Sequence, residues 1–377
     1  MKKLTGIFLC ALLLVLSTFN GLNAQTKSIS SLKGDLNNDG MVNTLDVVML
    51  INIIFGGDQG IMYADVNGDG VVNTLDLVMT VNIIFYGQPS ELTVATSEVS
   101  GITYFSAFCG GNVSDDGGLD MVSRGICWST SELPTVFDNV IPNGSETGEF
   151  TCVMTDLESA TTYYVRAFAI NTADTVYGEQ RVYTTDVYNA TAQSVDLGLP
   201  SGTKWADRNI GAPLASEYGN YYSWGETATK EDYSWNTYLC AQDQCDTSED
   251  PIFAAGLTNI AGTDFDAAHV IWGGTWQMPT DEQLSELLDN CTWIWSTQGG
   301  VDGYFVIGPN GNCIFLPSTG CFDGTELTFC GFMGFYWTST HCEYNTTNAN
   351  HLLFNLLHSI ENFLFRYYGQ TIRPITF

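Results

Sequence analysis

Two near-copies of one acidic loop constrain this chain more than any other feature: Asp35-Leu-Asn-Asn-Asp-Gly-Met-Val-Asn-Thr-Leu-Asp46 and Asp65-Val-Asn-Gly-Asp-Gly-Val-Val-Asn-Thr-Leu-Asp76. A hard cation such as Ca2+ takes roughly six to eight oxygens, and a short loop supplies them from alternate positions. Asp35, Asn37 and Asp39 stand at positions 1, 3 and 5, with Gly40 at the sharp turn of position 6. Met41 at position 7 offers only its carbonyl, Asn43 falls at 9, and Asp46 closes position 12. Asp65, Asn67, Asp69, Gly70, Val71, Asn73 and Asp76 repeat the series. One such loop reads as a solvated acidic turn, whereas two complete copies in register read as a pair of Ca2+ sites.

Each loop runs into an apolar stretch, Thr44-Leu-Asp-Val-Val-Met-Leu-Ile-Asn-Ile-Ile-Phe55 and Thr74-Leu-Asp-Leu-Val-Met-Thr-Val-Asn-Ile-Ile-Phe85. Both read as short helices, with Gly57 and Gly87 as terminators. Nothing helical of similar length precedes either loop, so each is a half EF-hand, with Asp in place of Glu at position 12. Such paired loop-helix units closely resemble a type I dockerin, over residues 34–89. The resemblance implies folding on Ca2+ (two ions) and docking to a cohesin-bearing scaffold protein. In the family, loop positions 10 and 11 help choose the cohesin; here they are Thr44, Leu45, Thr74 and Leu75, the same pair twice. The helices are apolar nearly all round. The surplus is either a partner surface or a tight core against the next domain. Family dockerins often place Lys or Arg on these helices, and this one has none.

Residues 1–24 read as a secretion signal: a basic Met1-Lys-Lys start, an apolar run from Ile7 to Leu16, and Leu22-Asn-Ala24 as a cleavage site. The run is short for a membrane span, and Cys10 within it follows bulky Leu9 rather than a lipoprotein pattern. The expected product is secreted, extracellular or at the cell surface, with the periplasm as the minimum, and is not inserted in a membrane. A net charge of −30 repels nucleic acid and anionic lipid. Apolar and aromatic content is too high for a disordered acidic chain.

Ten cysteines remain beyond the leader. An even number permits disulfides in an exported chain without pairing them. Cys240 and Cys245 could close a small loop, and Cys127 reads as a buried thiol within a strand. The four histidines show no zinc spacing.

Residues 92–186 carry strand patterns at regular spacing: Ile102 to Cys109, Arg124 to Ser129, Glu149 to Met154, Thr162 to Ile170 and Gln180 to Thr184. Leu157 followed by Thr161-Thr-Tyr163 is similar to a tyrosine corner. The segment resembles a fibronectin type III-like sandwich of exported Bacteroidetes proteins, expected here as a spacer.

Residues 194–377 hold eight of the nine tryptophans. Val195-Asp-Leu-Gly-Leu-Pro-Ser-Gly-Thr-Lys-Trp205, Tyr221-Tyr-Ser-Trp-Gly-Glu226, Trp272-Gly-Gly-Thr-Trp-Gln-Met-Pro-Thr280 and Ile372-Arg-Pro-Ile375 mark the segment. Together they resemble the Fibrobacter succinogenes major paralogous domain, itself similar to C-type-lectin-like α+β folds. Gln277 stands where that family often has Arg. The expected fold class is multidomain: a small all-α dockerin, an all-β fibronectin III/Ig-like sandwich and an α+β C-type-lectin-like domain.

Asp281, Glu282, Glu286 and Asp289 could suggest the paired carboxylates of a glycoside hydrolase. However, Thr280-Asp-Glu-Gln283 is a capping box, Leu284, Leu287 and Leu288 form one apolar stripe, and acids in a first turn favour the helix dipole. No cysteine arrangement of a formylglycine-generating oxidase and no Ca2+-lectin sugar motif stands out. No catalytic residue is assigned. A candidate ligand face lies in His341, Tyr344, Asn345, Asn348, Asn350 and His351, whose amide and imidazole groups suit hydroxyl-rich ligands. The alternative is a loop plus core strands. The functional expectation is an exported, non-catalytic protein tied by its dockerin to a scaffold of a polysaccharide-degrading assembly. It would display a lectin-like domain toward polysaccharide or a cell-surface glycan or protein. A carbohydrate-active enzyme or oxidase, and a structural surface adhesin, are the alternatives.

Overall fold

The computed structural model describes residues 32–56, 63–87, 90–240 and 250–377. The expected leader, Gly57 and Cys245, with the small loop expected between Cys240 and Cys245, lie outside those residues. The chain divides into two compact units, Met1–Ser90 and Glu91–Phe377.

The first unit is a tandem of loop and helix. Helix α1 (Thr44–Gly56) follows one acidic loop and α2 (Thr74–Tyr86) the other. Asn73 caps α2: its side chain accepts from Leu75 N–H, and Asp76 accepts from the Asn73 N–H in return. Asn43 and Asp46 make the same two bonds at the start of α1. The core is small: Leu36, Leu50, Ile53 and Ala64 are buried, with Met49, Ile54, Val72 and Leu77 packed on them.

The second unit opens with a β-sandwich. One sheet has the order β1-β2-β5, from Leu92–Thr96, Ala107–Asp116 and Gly148–Met154. The other runs β4-β3-β6-β7, from Asn139–Pro142, Met121–Ser129, Thr162–Asn171 and Thr175–Tyr177, and β8 (Arg181–Thr184) also pairs with β6. The tyrosine corner is present: the Glu158 N–H donates to Tyr163 Oη at 3.0 Å. Cys127 is buried within β3. One expected strand begins late, because Thr103 Oγ1 accepts from Ser106 N (3.0 Å) and Phe105 N (3.3 Å). That local turn competes with the ladder, so β2 starts at Ala107.

Beyond the sandwich, three short strands bring the two ends of the remaining segment together in the order β19-β10-β9, from Ile375–Thr376, Lys204–Ala206 and Ser194–Asp196. A second sheet runs β11-β12-β13, from Thr292–Gln298, Val301–Ile307 and Cys313–Pro317. After a two-stranded sheet of β14 (Cys321–Asp323) and β15 (Glu326–Thr328), a further sheet runs β16-β17-β18, from Met333–His341, Asn348–Asn355 and His358–Phe365. Helix α5 (Asp281–Asn290), the third of three after α3 (Pro251–Ala254) and α4 (Ala267–Trp272), begins at the expected capping box and buries Leu284 and Leu287. Arg373, from the final Arg-Pro pair, is wholly buried and donates to Asn209 Oδ1, the Ala206 carbonyl and the Phe315 carbonyl.

The sandwich is not a free spacer ahead of this segment. Phe108 from β2 packs against Phe305 and Phe315 from β12 and β13 in one buried cluster, with Cys313 and Ala215. Ala215 N–H donates to Tyr104 Oη at 3.1 Å, and Gly299 N–H to Asp156 at 2.9 Å.

Candidate metal loops and partner surface

The two loops share most of one hydrogen-bond framework. Asp35 accepts from Asp39 N (3.1 Å) and Gly40 N (2.9 Å); Asp65 accepts from Asp69 N (3.1 Å) and Gly70 N (2.8 Å). Asn37 and Asn67 each accept from the Asp two residues on at 2.9 Å, and donate an amide N–H to that residue's carboxylate. Asp39 then accepts from Met41 N, and Asp69 from Val71 N. At position 12 the carboxylates turn inward. Asp46 accepts from Leu36 N, Asn37 N and Asn43 N, and Asp76 from Val66 N, Asn67 N and Asn73 N, each set at 2.8–3.2 Å.

Backbone geometry explains the glycines. Gly40 and Gly70 have φ of 88° and 84°, a left-handed turn that a side chain strains, and two positions earlier Asn38 and Gly68 stand at 58° and 77°.

Each loop carries along its sequence three carboxylates, two side-chain amide carbonyls and one backbone carbonyl, that of Met41 or Val71. All are hard oxygen donors of the type Ca2+ prefers, and their number meets its lower coordination limit. Among the described residues no three His, Cys, Asp or Glu side chains are gathered into a metal-holding group. The carboxylates are spaced around the loop with N–H groups bonded to them, and the donor set fits the ion by its chemistry and order. Asp46 and Asp76 are wholly buried, and buried polar groups need hydrogen-bond partners such as these.

The helices show what the apolar surplus does. Leu45, Val48 and Phe55 are 61%, 54% and 78% exposed, and Leu75, Val78 and Phe85 are 59%, 56% and 76%. The two helices thus present the same Leu-Val-Phe stripe to solvent, beside exposed Thr44 and Thr74. Val48, Phe55, Val78 and Phe85 extend the exposed apolar surface beyond the loop residues picked from sequence; their repeat at equal offsets was the available signal.

The C-terminal candidates divide. Tyr344 is 92% exposed, and Asn345 is exposed but already accepts from Thr347. His341 is half-buried, with Nδ1 against the Cys342 carbonyl at 2.8 Å and its ring edge-on to Phe253. Asn350 donates to Asp281. Asn348 and His351 correct the expectation of one polar face: both are buried. β17 is the middle strand of its sheet and has buried residues on both faces, so His351 lies in the core, where Nδ1 meets Gln370 Oε1 at 2.9 Å and desolvation lowers its pKa to about 4. Two of the four acids of α5 have structural partners as well. Asp281 also accepts from Thr338 Oγ1 at 2.6 Å, with burial raising its pKa, and Glu286 accepts from Ser201 N and Oγ.

Residues 33–84 match the family model of the dockerin type I domain. This N-terminal region is similar to dockerin type I domains, which generally bind Ca2+ and pair with cohesin-bearing partners. No curated protein matches the chain. Among solved structures, the sensor domain of the anti-sigma factor RsgI4 of Pseudobacteroides cellulosolvens is 20% identical with a TM-score of 0.21, covering 26% of this chain and 97% of that one. A fibronectin type III domain from human KIAA0970 protein is 14% identical with a TM-score of 0.20, covering 26% of this chain and 76% of that one. The sandwich is defined by its own strand order and tyrosine corner. Among the described residues, no helix is long and apolar enough to cross a membrane.

Proposed function

We propose that this is an exported, non-catalytic modular protein, held by its dockerin to a cohesin-bearing scaffold and displaying the unit Glu91–Phe377 on that scaffold. The observation that carries the reading is the dockerin match together with the repeated exposed stripe on both helices. The metal ligands are Asp35, Asn37, Asp39, Met41, Asn43 and Asp46 in one loop, and Asp65, Asn67, Asp69, Val71, Asn73 and Asp76 in the other. Each Ca2+, when bound, would offset two of the three carboxylate charges in its loop. No Lys or Arg occurs between Lys33, whose Nζ lies beside Gly68 of the second loop, and Arg124, so the six loop carboxylates have few cations of the chain close to them in sequence. The partner surface is Thr44, Leu45, Val48 and Phe55, or the equivalent Thr74, Leu75, Val78 and Phe85. Either copy offers a cohesin the same contact, driven by apolar burial rather than by ion pairs.

Participation in polysaccharide breakdown follows from the assemblies that dockerins join. The segment 194–377 is read as a C-type-lectin-like domain, with polysaccharide or a cell-surface glycan or protein as its ligand and Tyr344 and Asn345 as the accessible part of its candidate face.

The test uses the full chain against cohesin modules from the same organism, with surface plasmon resonance in Ca2+ and in chelator. Saturable binding that disappears with chelator is expected. Absence of binding to every cohesin in Ca2+ would remove the scaffold reading.

A further inference from the structure

Cys109 on β2 and Cys152 on β5 stand directly opposite each other in an antiparallel ladder. That ladder runs without a register shift from Ala107↔Met154 to Val113↔Gly148. Directly opposed residues share one face of a sheet, and here it is the inner face, since both cysteines are buried in the sandwich core. On the opposite edge of β2, Ser100 and Phe108 exchange both backbone bonds, at 3.0 and 2.8 Å. By alternation, Cys109 directs its N–H and C=O at β5. A pair of this type has Cα atoms about 5.5 Å apart, which lies within the range over which a disulfide closes without backbone movement.

Neither thiol is committed to a strong alternative. Cys109 Sγ lies 3.6 Å from the Ser97 carbonyl and 3.7 Å from that of Gly110, and Cys152 Sγ lies 3.9 Å from the Ile141 carbonyl. Other described cysteines face different residue types across their ladders. Cys127 is opposite Val140 and Arg166, Cys313 is opposite Ile307, and Cys321 is opposite Thr328.

We propose that Cys109 and Cys152 form an intramolecular disulfide that staples β2 to β5 across the inner face of the sandwich. The oxidant is a small-molecule disulfide of the glutathione class. One cysteine thiolate attacks its S–S bond, giving a mixed disulfide and releasing one small thiol. The second thiolate then attacks the protein sulfur of that mixed disulfide, forming the Cys109–Cys152 bond and releasing the second small thiol. The two protein thiols lose two protons and two electrons, and the reagent is reduced to two thiols. The inference stands on the strand register and does not depend on the dockerin reading.

Timing follows from burial. In the folded dithiol form, desolvation pushes Cys109 up to about 12 and Cys152 up to about 11, which leaves little thiolate for exchange. The bond therefore forms while the strands assemble, and a dithiol folded first is protected.

The experiment refolds the full chain from denaturant in a reduced/oxidised glutathione buffer, traps remaining thiols by alkylation, and maps peptides without reduction. A cross-linked peptide pair carrying Cys109 and Cys152 is expected. Protein folded under reductant and then given oxidised glutathione should form it ~10-fold or more slowly. A second readout is thermal: the oxidised chain should melt ~5 °C or more above the reduced chain, and the Cys109→Ala/Cys152→Ala double variant should lose that difference. Recovery of Cys109 and Cys152 as alkylated thiols after oxidative refolding, or cross-linked to other cysteines, would overturn the proposal.

Discussion

Asp46 is wholly buried, yet both of its carboxylate oxygens are engaged by backbone N–H groups from three points of its loop. Its replacement removes acceptors for donors that the folded loop holds away from water. Asp46→Ala should cost ~2 kcal/mol or more in the stability of the first unit, read from urea unfolding followed by circular dichroism in Ca2+. An unchanged midpoint would show that the inward carboxylate does not organise the loop. His351 gives a second residue-scale expectation. Its folded pKa is depressed to about 4, below the unfolded value near 6.5, so its contribution is complete above ~6.5 and is lost as pH falls from there toward 4. In that window the unfolded chain binds the extra proton, and stability falls by up to ~1.4 kcal/mol per pH unit from this group. His351→Gln should flatten the pH slope relative to the parent chain in paired urea titrations. Identical slopes would mean that the imidazole accepts a proton while folded.

At the scale of the element, α1 and α2 repeat not only their sequence but also their exposure, position by position from Leu45 to Phe55 and from Leu75 to Phe85. If the two stripes are equivalent docking faces, Leu45→Asp alone should weaken cohesin binding only ~2-fold, and so should Leu75→Asp. The double change should weaken it ~100-fold or more, because a buried charge then meets either orientation. Surface plasmon resonance distinguishes this from a single working face, for which one of the single variants would already abolish binding. The loops and helices were legible in the sequence because each ligand position is a short-range property. The start of β2 was not: Thr103 and Ser106 settle a turn between themselves, and β-propensity over Ile102 to Ser106 carries no sign of it. The six-residue ligand face was over-read for a related reason. A run rich in Asn and His looks polar in sequence, but β17 is a middle strand with buried residues on both faces, so Asn348 and His351 are buried although they are three positions apart.

For the larger unit taken whole, the cluster of Phe108, Phe305 and Phe315 joins the sandwich to the β11-β12-β13 sheet. Phe305 is wholly buried, edge-on to Phe108 at 5.4 Å and tilted against Phe315 at 4.9 Å. Phe305→Ala should cost ~3–5 kcal/mol. Hydrogen exchange should report the loss in β2 as well as in β12, since the cavity opens onto both. Loss of protection confined to β12 would show that the two parts unfold separately despite their shared core.

The sequence alone determined the Ca2+-type loops, the helices after them, the tyrosine corner and the capping box of α5, because each depends on residues a few positions apart. Only the tertiary structure decided that the sandwich packs into the segment after it, that His351 is a core residue, and that Cys109 faces Cys152. Those outcomes rest on contacts between positions tens to hundreds of residues apart, and local pattern does not encode such pairings. What the larger unit presents depends on which side chains its fold leaves outside.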